Sequence, residues 1–175
     1  NPQPLPPLSF LTRAASVYPD KTAVIHGTKR TTYRAFYERC RRLASALDKR
    51  GVGLGDTVAL MAPNVPAMLE AHYGVPMAGA VLNALNNRLD GETIAAILNH
   101  GEAKVLITDR ELSPAVSQAL AKIGRAIVVI DIDDPLADGG ELLGEKDYGI
   151  DPAVLERIGD EIQDLRNSGV QVAIV

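Results

Sequence analysis

The chain has 175 residues, enough for one ordinary domain or a substantial part of a larger one. With 46% hydrophobic and 23% charged residues it can bury a core, which excludes a disordered tail, and its net charge of −4 argues against a protein dominated by nucleic-acid backbone contacts. A single cysteine, Cys40, excludes an internal disulfide framework and a cysteine-based zinc site, so a reducing cytoplasm is the simplest compartment.

Residues 1–7 (NPQPLPP) are dense in proline and read as an extended, polyproline-like arm. A short helix follows, opened by Ser9 or its neighbours and closed by Pro19, with Phe10, Leu11, Ala14 and Val17 on one face. Thr22–His26 and Lys29–Thr32 read as two strands around Gly27-Thr28, a hairpin signal. Thr32 is then the N-cap of the strongest helical pattern in the chain. Tyr33, Phe36, Tyr37, Cys40, Leu43, Ala44 and Leu47 follow helical spacing, and Gly51 supplies the stop. Glu38 and Arg42 form an outward i,i+4 pair. The basic stretch of Arg39, Arg41, Arg42, Lys49 and Arg50 is punctuated by Glu38 and Asp48, so it reads as a solvated helix face.

From Asp56 the pattern turns to strand, helix, strand, helix. Thr57–Ala62, Ala80–Leu82, Lys104–Thr108 and Ala126–Asp131 are short apolar runs, separated by helical segments near 65–78, 90–99 and 111–123. Apolar strands alternating with helices imply an α/β fold, with a mostly parallel sheet covered on both sides. The longest apolar stretch, Gly74 to Leu85, is broken by Asn83 and falls well short of the ~20 residues of a spanning helix. No charged-then-apolar leader opens the chain, so neither a membrane segment nor a secretory signal is expected.

Residues 131–150 are polar and read as a long loop. Asp151-Pro152 then opens a helix with Val154, Leu155, Ile158, Ile162 and Leu165 on one face, and Val170–Val175 is an apolar strand. These signals divide the chain into a scaffold (1–134), a junction (135–150) and a helix–strand tail (151–175). Asn1 in place of Met, and an ending inside an apolar strand, lead us to expect a partial chain.

Candidate sites are sparse. Gly51, Gly53 and Gly55 resemble a phosphate-cradling loop in composition, but they follow a helix and precede a strand, the reverse of the order that aims free amides at an anion. A turn is the better reading. Asp131, Asp133 and Asp134 lie just past a strand, where a hard cation could bind; a solvated Asp-Pro turn accounts for them more simply. His26, His72 and His100 lack metal spacing, and His72 shares a helix face with Met68, Leu69 and Tyr73, so it reads as packed. Cys40 lies on an inward stripe and reads as a buried structural thiol. No catalytic, cofactor-binding or metal residue is assigned.

Three strings together carry a family resemblance: LSFLTRAASVYPDKTAVIHG (8–27), TTYRAFYERCRRLASALDKRGVGLGDTVALMAPNVPAMLEAHYGVPMAGAVLNALNNRLD (31–90) and HGEAKVLITD (100–109). This colinear pattern resembles the amino-terminal portion of AMP-forming acyl-CoA synthetases, of the adenylate-forming superfamily, and is most similar to the branch acting on medium-chain fatty acids. The resemblance implies a parent ligase that uses ATP, Mg²⁺ and CoA. A carboxylate first forms an acyl-adenylate, and the CoA thiol then displaces AMP. It implies small-molecule carboxylate and CoA as partners, no nucleic acid, and leaves a homodimer open. The family's phosphate loop, adenine motif and carboxyl-terminal lysine lie beyond the matched region, so the expected fragment binds no cofactor and is inactive alone. One local departure is the missing acid of a capping box, where this chain has Arg34 and Ala35. From residue 149 the sequence is similar instead to bacterial UMP kinase, of the amino-acid-kinase fold. A non-catalytic interaction module and a fragment of such a kinase are the alternative readings.

Overall fold

In the computed structural model, which describes residues 7–132 and 143–146, the chain opens with helix α1 (Pro7–Val17). Of the face expected to be apolar and inward, only Leu11 is buried; Phe10 and Val17 are 58% and 54% exposed. The helix meets its neighbours along a narrow line, where Leu11 packs with Phe36 and Cys40. Strands β1 (Thr22–His26) and β2 (Lys29–Thr32) occupy the expected residues and pair antiparallel.

Helix α2 (Tyr33–Lys49) starts as its sequence demands: the Thr32 hydroxyl accepts from the Ala35 amide at 3.3 Å. The acidic half of the capping box is absent. In its place the Tyr33 and Arg34 amides donate to the carbonyls of Lys21 and Pro19, at 2.9 and 3.0 Å, so the preceding turn satisfies donors that a helix start leaves orphaned. At the other end Gly51 adopts φ 73°, its amide donates to Asp48, and the Val52 amide donates to Leu47. This is a Schellman stop, which needs a residue tolerant of left-handed backbone. Phe36, Cys40, Leu43, Ala46 and Leu47 form the buried stripe, while Ala44 is half-buried.

Five strands form one parallel sheet: β3 (Thr57–Met61), β4 (Val81–Ala84), β5 (Val105–Asp109), β6 (Val128–Ile132) and the two-residue β7 (Glu145–Lys146). Their spatial order is β4-β3-β5-β6-β7. β7 falls in the segment read from sequence as a loop; residues 133–142 and 147–150 of that segment and the 151–175 tail lie outside the described residues. The crossovers are α3 (Pro66–Met77), α4 (Gly91–His100) and, after a short 3₁₀ turn at Arg110–Leu112, α5 (Ser113–Leu120).

Strand side chains alternate between two cores. Val58 and Leu60 of β3 pack with Ile107 and Ile130 under α2 and α3, whereas Ala59 and Met61 pack with Leu106 under α4 and α5. Both faces of the central strands are therefore covered, which is why they read as continuous apolar runs.

The two helices on the first face are tied by a pair that the basic-stretch reading did not anticipate. Arg39 is not solvated along its length. It reaches from α2 to Glu70 of α3, with Nε on Oε1 and Nη2 on Oε2 at 3.0 Å, and Glu70 is only 1% exposed. On the second face Arg125 donates to the carbonyls of Leu98 and Ala103, both at 2.7 Å, closing the end of α4.

Candidate functional site

Doubly wound sheets bind ligands outside the carboxyl ends of their strands, at the point where strand order reverses. Here the chain makes β3 first, then β4 on one side and β5 on the other, so the reversal lies between β3 and β5. Asn64 and Val65 follow β3 there, and Asp109 ends β5. Thr108, Asp109 and Ser113 are buried at this edge. One Asp109 oxygen accepts from the Glu111 amide at 3.0 Å and caps the 3₁₀ turn, so this polar cluster organises the strand exit.

Beside that edge, a cavity of about 610 Å³ opens between β1, the β3–α3 connection and the outer face of α3. Its walls are mostly apolar, from Val24, Val65, Pro66, Met68 and Leu69, with His26, His72 and Asn64 as polar points. Two histidines from separate elements thus reach one cavity. His72 is exposed rather than packed, and its Nδ1 lies 2.8 Å from the Met68 carbonyl. The reason is the choice of face: α3 buries Ala67, Ala71, Gly74 and Val75, small residues that let it approach α2, together with Glu70, which pairs with Arg39. Of its larger side chains Leu69 and His72 are exposed, while Met68, Tyr73 and Met77 are half-buried against the cores. His26 Nε2 is buried without a hydrogen-bond partner, and His100 is exposed in the last turn of α4.

The glycine turn sits at the opposite edge of the sheet and spends its amides internally. Gly51 donates to Asp48 (2.9 Å), Gly53 to the Asp56 carboxylate (2.8 Å) and Gly55 to Gly79 (3.1 Å). Lys104 also holds Asp56 at 2.8 Å. The bond from Lys104 and then that from the Gly53 amide keep the Asp56 carboxyl below the usual aspartate range.

Asp131 corrects the solvated-turn reading. It is fully buried, and one oxygen accepts from the Leu143 and Gly144 amides at 2.9 and 2.6 Å, clamping the start of β7 beside β6. Asp133 and Asp134 lie outside the described residues. Among the described residues no three His, Cys, Asp or Glu side chains gather as a metal site would require. Cys40 is fully buried, as its inward position implied. Burial first, then the Glu70 carboxylate, push its thiol up to about 12, against a smaller opposite pull from Arg39.

Comparison with known proteins supplies what the geometry leaves open. A family described as AMP-binding enzyme matches residues 11–163. The chain belongs to that family. A peroxisomal acetate/butyrate–CoA ligase of Arabidopsis thaliana is 53% identical over 116 residues, covering 66% of this chain and 20% of the relative. A peroxisomal benzoate–CoA ligase of the same plant is 47% identical over 120 residues, covering 69% and 21%. Among solved structures, a benzoate CoA ligase from Burkholderia xenovorans superposes with TM-score 0.68 at 32% identity, covering 74% of this chain and 26% of that one. The chain therefore spans about a fifth of the length of the curated relatives it matches. The family match runs past residue 149, where the kinase-like stretch begins. Among the described residues no helix is long and apolar enough to cross a membrane.

Family membership implies a nucleotide in the longer enzymes, and two groups of this chain bear on where one could lie. In the glycine turn the Gly51, Gly53 and Gly55 amides donate within the fold, and at Asp131 one carboxylate oxygen accepts from two backbone amides while Oδ1 is buried without a partner.

Proposed function

We propose that this chain is the amino-terminal scaffold of an ATP-dependent acid–CoA ligase that forms an acyl-adenylate and then an acyl-CoA thioester. The family match over residues 11–163 carries this reading, and the CoA ligases at about half identity support it. The proposed acid is a medium-chain fatty acid or a carboxylate of similar size. Relatives named for acetate or butyrate and for benzoate share this stretch almost equally well, at 53% and 47% identity. Acyl specificity is therefore set elsewhere in the longer protein.

Alone, the chain is inactive in this reading, because it spans about a fifth of the length of the ligases it matches. ATP–pyrophosphate exchange by the purified chain is expected to stay at background with octanoate, butyrate or benzoate; carboxylate-dependent exchange would refute the inactivity. Replacing the matching fifth of the Arabidopsis acetate/butyrate ligase with this chain tests the scaffold role. The folded chimera is expected to exchange, and a folded but inert chimera would favour a non-catalytic interaction module. We also propose that residues 1–134 and 151–175 are separate units. Limited proteolysis should then cut first within 135–150, and uniform resistance there would contradict the division.

A further inference from the structure

We draw no further inference here: the strongest candidate, the edge of β4 that is open among the described residues, with the exposed side chains of Leu54 and Val81 beside it, is an apolar surface for which nothing in the structure shows what covers it.

Discussion

Arg39→Ala is expected to lower the unfolding free energy by about 3–5 kcal/mol, the usual loss when one partner of a buried ion pair is removed. The asymmetry of the pair decides the magnitude. Glu70 is 1% exposed and has its carboxylate under α2, whereas the Arg39 side chain keeps 35% of its surface in water. Removing the arginine strands a buried negative charge. Removing the acid leaves a guanidinium that can swing into solvent. Glu70→Gln, which keeps an acceptor for Arg39, is therefore expected to cost less, about 1–2 kcal/mol. The double variant Arg39→Met/Glu70→Leu is expected to recover most of the loss, since two apolar side chains of similar volume need no compensation. Urea denaturation followed by circular dichroism measures all three. A loss below about 1 kcal/mol for Arg39→Ala would show that the pair is solvated after all.

Gly74→Ala is expected to destabilise by about 1–3 kcal/mol, although alanine is the better helix former. Gly74 lies inside α3, where exchanging glycine for alanine ordinarily gains about 1 kcal/mol. Here an added methyl would stand 2.9 Å from the Cys40 carbonyl oxygen and 2.8 Å from Leu43 Cδ2. The carbonyl is backbone inside α2 and cannot step aside, so helix separation must increase and the Arg39–Glu70 contact with it. Packing outweighs propensity. Thermal melting of the variant checks the sign: an unchanged or raised midpoint would mean that α2 and α3 can part without loss.

Both variants act on one contact, and that contact shows where the sequence was and was not readable. Local chemistry was plain: Thr32 caps α2 and Gly51 ends it where their residue types require, and β1 to β6 appear within two residues of the expected runs, though β7 was not expected. Two cores of alternating side chains follow from runs that are apolar on both faces. The order of the strands was not readable, because it depends on which side of β3 each crossover returns to. α3 misled for a physical reason. Its bulky residues suggested the inward face, yet close helix packing selects small residues there, so His72 ended outside, while Glu70 is inside because Arg39 pairs with it. A lone acid in an almost wholly apolar helix was the available signal. Asp131 was misjudged because its partners, the Leu143 and Gly144 amides, lie twelve and thirteen residues away and carry no side-chain signature. The candidate site stayed dim for the same reason that it exists, since its cavity is assembled from elements far apart in sequence.

The position of β3 at the centre of the sheet also has a bearing on synthesis. It is the first of the five parallel strands to leave the ribosome, and each later strand lies next to one already made: β4 and β5 on either side of β3, β6 on β5, β7 on β6. Among the described residues no strand has to wait for an unmade neighbour or wedge between two finished ones. The sheet can thus grow outward as translation proceeds, which shortens the time a nascent apolar edge is left open to aggregation.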